Sequence, residues 1–382
     1  MKFAAVMKEE WEALSSGHFP LALILLFLPL FYTVLFGLVY EQDTIKHTPL
    51  MIYDEDQSSL SRSLITCYND SEKFRIVGYA DSKEDLDEAI IRGDAMAGLM
   101  IPRDFSKNIR LGKGSTVGLV INSVNNTIGG NVQKNSYEIQ KSFNVGVSRK
   151  LIQGLGILPE DAEHLSYPAK IALRILNNPT GGFTPFMLTG LAVQGVQIAM
   201  MITMAPLWSG KHVAGGSLPF PLVFLARMVP YMAMALLSYG LLLAGGCFLF
   251  GVPFKGSPWE LLALGLGYVW NVAGVLSFLS SISPNRVLAL QLPMIYIMPG
   301  TLLSGLSWPA FAMNEPSRLY AAIMPIRYTA VNVRNILLSG HSEALSGDLL
   351  VLALFGLAAG LLGMGVCLLK RRIWGGKGGA LS

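Results

Sequence analysis

Charged residues are scarce in this chain of 382 residues. Asp, Glu, Lys and Arg make up only 14% of it, whereas they make up about 25% of ordinary soluble domains. Hydrophobic residues make up 52%, and the mean hydropathy is +0.47. This composition predicts a polytopic membrane protein. The net charge of +4 is too small to indicate a nucleic-acid partner.

The residues that build metal, disulfide and nucleotide sites are also few or scattered. Cys247 and Cys367 fall in apolar runs far from Cys67, so no disulfide framework is predicted. The five histidines lie apart, without an HExxH motif. Residues 111–116 resemble a phosphate-binding loop, but the first glycine is missing and Gly114 occupies the Ser/Thr position. We therefore predict no enzyme activity and no catalytic, cofactor or metal site in this chain.

Long uncharged runs are abundant, and each is long enough to cross a bilayer. They predict six spanning helices near residues 20–40, 185–207, 229–250, 260–282, 287–306 and 349–369. The first run is an alternative candidate for a cleavable signal peptide, but its length and acidic leader favour a retained anchor. No charge lies at the centre of any run, which argues against an ion-driven carrier. Gln194, Asn271 and Gln291 are expected to form hydrogen bonds between helices.

The first sixteen residues have the pattern of an amphipathic helix at the membrane interface. Its apolar face would hold Phe3, Val6, Met7 and Leu14, and its polar face Lys8, Glu9, Glu10 and Glu12. Residues 1–40 thus form an interfacial helix and the first spanning helix.

The charged residues concentrate between residues 41 and 174, which hold 34 of the chain's 54. Strands are predicted at 49–53, 74–79, 95–101 and 116–122, with helices at 58–69, from Ser82 with a capping box to Asp85, from 102, and from about Thr127. A last strand is expected over 167–176. This alternation predicts a mixed α/β domain exposed to water, within boundaries of 41–183.

Glycines and prolines interrupt the stretch from 300 to 340, so a single straight helix is excluded. Broken backbone at membrane depth must be enclosed by protein or line a water-filled cavity. We predict short re-entrant helices at about 307–345, within a helical region 184–382 that ends in a basic tail. The candidate gate consists of Gly305, Pro309, Pro325, Arg327 and Arg334. Arg327 and Arg334 share one helical face, where anchoring at the interface is favoured over binding of an anionic substrate.

Basic residues in short segments predict the orientation of the chain. With both termini cytoplasmic, nine Lys and Arg lie inside and four outside. This arrangement places the α/β domain outside the cytoplasm. Because the chain has no energy source of its own, a cytosolic motor would act on inner segments, with these candidate coupling residues: Trp11, Glu12, Lys211, His212, Asn285 and Arg286.

Several short motifs, taken in order, resemble one family. They are Lys8-Glu9 followed by Leu28-Pro29 and Phe36-Gly37, the run from Asp54 to Ser61, Ile101-Pro102-Arg103-Asp104-Phe105, Arg174 with Asn178-Pro179, and Leu303-Ser304-Gly305 with Pro309, Met324-Pro325 and Arg334. The chain resembles the permease subunit of type-2 ABC exporters, in the subgroup with a large extracytoplasmic insertion after the first helix.

This resemblance implies a bacterial cytoplasmic membrane protein that works with other subunits. Two permease copies, or two related permeases, would surround a path for an amphiphilic substrate, and the outer domain would be available to an envelope partner. A separate cytosolic ABC ATPase would bind ATP and magnesium. The family usually carries an acidic coupling motif between its second and third helices, but residues 209–217 contain no acid. The contact with the ATPase would therefore be altered or supplied by a partner permease.

Two other functions fit parts of the pattern. One is a non-transporting envelope scaffold or sensor whose outer domain binds a partner. The other is an ion-coupled carrier, which the uncharged run centres disfavour.

Overall fold

The structure is a computed structural model that describes residues 3–16, 21–156, 176–178, 181–209 and 218–375, without the side chains of 374 and 375. The chain forms two compact units. One is helical and combines Met1–Asp43 with Ile175–Ser382, and the other is Thr44–Arg174. The strand expected over 167–176 lies almost wholly outside the described residues.

The helical unit has the following helices, numbered along the whole chain: α1 Phe3–Ser15, α2 Leu21–Val39, α7 Thr189–Met204, α8 Phe220–Phe250, α9 Pro258–Ile282, α10 Arg286–Ile297, α11 Gly300–Leu303, α12 Glu315–Ala322, α13 Pro325–Ser339 and α14 Leu345–Gly375. A π-helical turn, Thr184–Leu188, precedes α7, and a 3-10 turn, Ala205–Trp208, follows it. Among the described residues, six helical segments are long and apolar enough to cross a membrane. The chain is thus a polytopic membrane protein, as its composition predicts.

Three predicted spans differ from the observed helices. The helix α8 begins at Phe220 rather than near 229. Arg227 lies within the helix, because its charge is paired with Glu10. The fifth span breaks after Ile297 at a turn that contains Pro299, which has no backbone N–H to continue the helix. The last helix extends beyond its apolar window at both ends, to Leu345 and Gly375.

Two spans form the centre of the helical unit. In their most apolar windows, 67% of the residues of the Thr184–Trp208 span and of α9 are buried, against 22–28% in the other four spans. The helices α9 and α14 approach closely at small residues, since a β-carbon added to Gly274 would lie 2.2 Å from the Gly356 carbonyl oxygen. Asn271 donates to the Leu352 carbonyl across this contact at 3.0 Å, which confirms the predicted hydrogen bond. Gln291 is exposed on α10 instead.

The α/β unit contains β1 Thr48–Asp54, α3 Ser59–Asn69, β2 Phe74–Tyr79, α4 Lys83–Arg92, β3 Ala97–Ile101, α5 Phe105–Arg110, β4 Gly118–Ile121 and α6 Asn126–Gly154. The sheet order is β2-β1-β3-β4, with β4 antiparallel to β3 and the other pairs parallel. Ser58 and Ser82 cap α3 and α4 by accepting backbone hydrogen bonds. The mixed α/β fold predicted for this region is therefore observed.

Both faces of this sheet are covered. Leu50 and Ile52 of β1 are buried on the face that carries α3, α5 and α6. Alternate residues of the same strand, Met51 and Tyr53, pack with Leu86 of α4 on the other face. The alternation follows from the period of two along a strand. Residues 111–116, which resemble a phosphate-binding loop, lead into β4, whereas such loops lead into a helix.

Candidate functional site

The contacts within the helical unit define two ends of the bundle. At the first, called here the terminal end, α1, the start of α8, the end of α9 and the end of α14 come together. Lys370 of α14 donates to the Ser281 carbonyl at 2.5 Å, and the backbone N–H of Trp208 donates to the Ser280 hydroxyl at 2.9 Å. Arg227 of α8 lies over the Trp208 ring, 5.7 Å from its centroid.

The far end is defined by the opposite helix ends. The Thr184 hydroxyl donates to the Tyr40 carbonyl at 2.6 Å, and the Phe183 N–H to the Asp43 carbonyl at 2.8 Å. The Lys255 N–H donates to the Leu337 carbonyl at 3.1 Å, which joins the α8–α9 connection to the end of α13. The chain thus leaves the helical unit for residues 44–174, and returns from them, at its far end.

A buried ion pair fastens α1 to the bundle at the terminal end. Glu10 Oε1 lies 3.2 Å from Arg227 Nε, and the two side chains are 8% and 15% exposed. Val6 and Leu14, one turn on either side of Glu10, are buried as predicted. The prediction for Glu10 is wrong, because this residue faces the bundle rather than water, whereas Phe3 is exposed rather than buried.

The ion pair continues into a network that reaches three spanning segments. The Trp208 ring stacks on Phe224 of α8 with centroids 4.4 Å apart. Its indole N–H donates to the Ser277 hydroxyl of α9 at 3.3 Å. Glu10, Arg227 and Trp208 therefore link α1 to α8, to the end of the second span and to α9. A displacement of α1 that keeps the ion pair must move at least one of these partners, because packed interiors do not deform continuously.

Four of the predicted coupling residues are exposed at this terminal end. Trp11 is 46% exposed and Glu12 also faces solvent, on the side of α1 away from the bundle. Asn285 caps α10 by accepting from the Leu288 N–H at 2.9 Å, and Arg286 is the first residue of that helix. The geometry leaves these side chains free to touch another protein. The remaining two, Lys211 and His212, lie outside the described residues.

The glycines and prolines of the far end produce the predicted short helices. Gly305 has φ +87°, a left-handed conformation that ends α11 and favours glycine. Pro309 precedes a 3-10 turn, Ala310–Ala312, and Pro325 is the first residue of α13. The segment therefore folds as three short pieces, α11, α12 and α13, rather than as one helix.

Hydrogen bonds from tyrosine side chains hold these pieces to their neighbours. Tyr328 donates to the Ala322 carbonyl at 2.7 Å. Tyr296 of α10 donates to the Ile323 carbonyl, and Tyr320 to the Ile295 carbonyl at 3.3 Å. All three acceptors are backbone carbonyls near breaks in the helices, where intrahelical partners are missing.

Arg327 and Arg334 share α13, but they have different surroundings. Arg327 stacks on Tyr328, with 5.7 Å between the guanidinium carbon and the ring centroid. Arg334 lies 4.9 Å from the ring centroid of Phe186, and its Nη1 is buried without a hydrogen-bond partner among the described residues. Burial lowers the pKa of Arg334. Arg334 therefore points towards the second span rather than away from the bundle.

A comparison with known protein families identifies the class of this chain. The profile of a family described as ABC-2 family transporter protein matches residues 20–364. The match covers the six apolar helices, apart from the end of α14, and the α/β unit. The chain belongs to this family of ABC transporter membrane proteins.

Two relatives from Escherichia coli (strain K12) have related names. The chain is 22% identical to "Probable multidrug ABC transporter permease YbhR" over 306 residues, 78% of this chain and 80% of the relative. It is 25% identical to "Probable multidrug ABC transporter permease YbhS" over 151 residues, 39% of each chain. The chain thus matches less than half of YbhS, and both identities are low. They support a permease role and leave the substrate open.

Proposed function

We propose that this chain is the permease subunit of an ATP-driven exporter in a bacterial cytoplasmic membrane. It moves an amphiphilic compound outward, which can be a drug-like molecule, a lipid, a peptide or a glycan precursor. A cytosolic ABC ATPase supplies the energy and holds ATP and magnesium. A second copy of this chain, or a related permease, completes the path. Family membership and the two permease relatives support this proposal.

The proposed orientation places the terminal end in the cytoplasm. By sequence position, nine Lys and Arg lie in or beside the segments that connect helices at this end, and four lie in or beside the short segments of the far end. Short loops rich in Lys and Arg face the cytoplasm. Since α2 ends at the far end, residues 44–174 then lie outside, where they are available to an envelope partner.

The Glu10–Arg227 ion pair is the observation that carries the proposed coupling. In this proposal, the ATPase binds the exposed face of α1 at Trp11 and Glu12, and it also touches Asn285 and Arg286. Arg227 transmits the displacement of α1 to α8, and Trp208 transmits it to α9. The short helices around Gly305, Pro309 and Pro325 then open or close the far end, with Arg327 and Arg334 on the moving helix.

The positions of the acids favour an external motor over ion coupling. Among the described residues of the six spans, the acidic residues are Glu260 and Asp348. Both lie within the first turn of their helices, at the far end. Ion-driven carriers place carboxylates near the middle of the membrane, where they bind the coupling ion.

The decisive test is reconstitution with a candidate ATPase. The permease and the ATPase should co-purify, and liposomes containing both should consume ATP faster when substrate is present. An ATPase variant unable to hydrolyse ATP serves as the control. Failure of every candidate ATPase to associate would overturn the proposal, and so would transport by the purified chain driven by a proton or sodium gradient alone.

The proposed orientation has a separate test, since Cys67 is exposed on the α/β unit. In a Cys247→Ser/Cys367→Ser background, a membrane-impermeant maleimide added to spheroplasts should label Cys67 without permeabilisation. Labelling only after permeabilisation would reverse the orientation. A reporter fused at Lys113 should likewise lie outside the cytoplasm.

A further inference from the structure

The α/β unit contains an open cavity of about 800 Å³ between α3, α5 and α6. Ligand sites in proteins commonly measure about 300–1,000 Å³. The groove belongs to the α/β unit alone, and the proposed coupling and gating do not use it. Its lining combines an apolar strip with charged residues, which determines the class of molecule that fits.

The apolar strip runs along one face of α6. Ile139, Phe143, Val147 and Leu151 line the groove at intervals of four residues, with Leu60 of α3 across from them. Four-residue spacing keeps side chains on one helical face, and twelve residues of helix extend about 18 Å. A long, narrow apolar surface of this length suits an extended alkyl chain.

The charged residues of the groove make its two ends different. Lys73, Arg110 and Lys150 line it, and none of them forms an ion pair with a carboxylate among the described residues. Two acids, Asp70 and Glu138, line it as well. Glu138 lies at the start of the strip and Lys150 at its other end, twelve residues later. The cations outnumber the acids, and unpaired Arg and Lys bind carboxylate or phosphate groups strongly.

We propose that this groove binds a single-chain amphiphile with an anionic headgroup. The alkyl chain lies along Ile139, Phe143, Val147 and Leu151, and the headgroup binds Lys150 and Arg110. The inference rests on the proposed function in one respect: it assigns the exported amphiphile to an anionic class. Binding itself requires neither ATP nor the ATPase.

Protection of Cys67 can measure this binding, because Cys67 lines the groove and is exposed. The experiment uses the full chain in lipid nanodiscs, with Cys247→Ser and Cys367→Ser, and follows the rate of Cys67 modification by a water-soluble maleimide. Laurate at ten times its Kd should slow the reaction about ten-fold. Dodecyltrimethylammonium, which has the same chain length and a positive headgroup, should leave the rate nearly unchanged.

Charge variants separate the groove from the rest of the surface. Arg110→Glu with Lys150→Glu should abolish protection by laurate. The matched control is Lys134→Glu, which changes an exposed cation of α6 that does not line the groove, and it should keep protection intact.

Three results would overturn the inference: no protection by laurate, equal protection by both probes, or a Cys67 that is unreactive before any probe is added because another segment fills the groove. None of these results bears on export, since the ATPase is absent. Conversely, loss of ATP-driven transport would leave a positive protection result standing.

Discussion

The two ends of the helical bundle are held together by different kinds of contact. At the terminal end, a buried ion pair and a tryptophan join α1, α8 and α9 through side chains that lie deep in the bundle. At the far end, short helices are joined by turns and by hydrogen bonds from tyrosines to backbone carbonyls. The terminal end includes a buried charge pair, whereas the short helices of the far end are joined by neutral hydrogen bonds.

This difference is compatible with the coupling and gating roles proposed for the two ends. A buried charge pair resists separation, because removing either partner leaves an uncompensated charge in the interior. A helix tied to the bundle in this way moves as a unit with its neighbours. A segment held by several neutral hydrogen bonds can rearrange in steps, since each bond contributes little. We therefore expect substitutions at the terminal end to have the larger effects.

The largest effect is expected from Arg227→Met. This variant removes the Arg227 member of the buried pair, and breaking a buried pair in this way costs about 3–5 kcal/mol in other proteins. The midpoint of thermal aggregation in detergent should fall sharply, and ATP turnover by the reconstituted exporter should no longer respond to substrate. Lys8→Met is the matched control, because the Lys8 side chain is 77% exposed and, among the carboxylates of the described residues, pairs only with Glu12.

The double variant Glu10→Met/Arg227→Met makes this prediction specific. If the pair acts as a unit, removing both charges should recover most of the lost stability, because neither charge remains buried. Additive losses from the two single variants would show that Glu10 and Arg227 do not depend on each other. The terminal end would then be held, like the far end, by independent contacts, and the difference drawn between the two ends would be wrong.

A smaller loss is expected at the far end from Gly256→Ala. An added β-carbon would lie 2.5 Å from both Cγ2 and the carbonyl oxygen of Ile336 in α13. The backbone oxygen cannot move aside easily, so α13 should shift, at a cost of about 1–3 kcal/mol. Thermal unfolding of the purified chain measures the loss. Gly347→Ala is the control at the same end, because nothing lies within 4 Å of its added β-carbon; equal losses would contradict the close approach.

Much of the architecture follows from the sequence, because burial leaves a local pattern. The apolar runs located all six spans, and the strand periods and the serine caps Ser58 and Ser82 located most of the α/β unit. The breaks at Gly305, Pro309 and Pro325 were also predictable, since left-handed backbone and missing N–H groups act within a few residues.

The Glu10–Arg227 contact could not be predicted, because its partners are far apart in the chain. A partial signal was present: Glu10 lies four residues from both Val6 and Leu14, which places an acid within an apolar stripe. No spacing rule connects that acid with Arg227, however. The same missing partner explains the misplaced start of α8, where an unpaired arginine would have ended a membrane helix.

Gly305→Ala should reduce the stability of the chain by less than Gly256→Ala does. Gly305 adopts φ +87°, and the left-handed conformation costs other residues about 1–2 kcal/mol. The nearest atom to an added β-carbon is Val331 Cγ2 at 3.9 Å, so the cost comes from the backbone alone. Gly305→Asn should be milder, since Asn tolerates this conformation better. In thermal unfolding, the Asn variant should be more stable than the Ala variant. The reverse order would show that steric contacts of the added side chain, rather than the left-handed backbone, determine the loss of stability.

The smallest effect is expected from Tyr328→Phe, which removes only the hydroxyl that donates to the Ala322 carbonyl. A single neutral hydrogen bond contributes about 0.5–1.5 kcal/mol net, and the ring that stacks under Arg327 is retained. Thermal unfolding should show a small loss, and ATP turnover by the reconstituted exporter should remain coupled to substrate. Tyr79→Phe, at an exposed tyrosine of the α/β unit, gives the baseline for losing a solvated hydroxyl. A loss as large as that of Arg227→Met would mean that the far end, too, depends on single contacts, and its assignment as the movable end would have to be withdrawn.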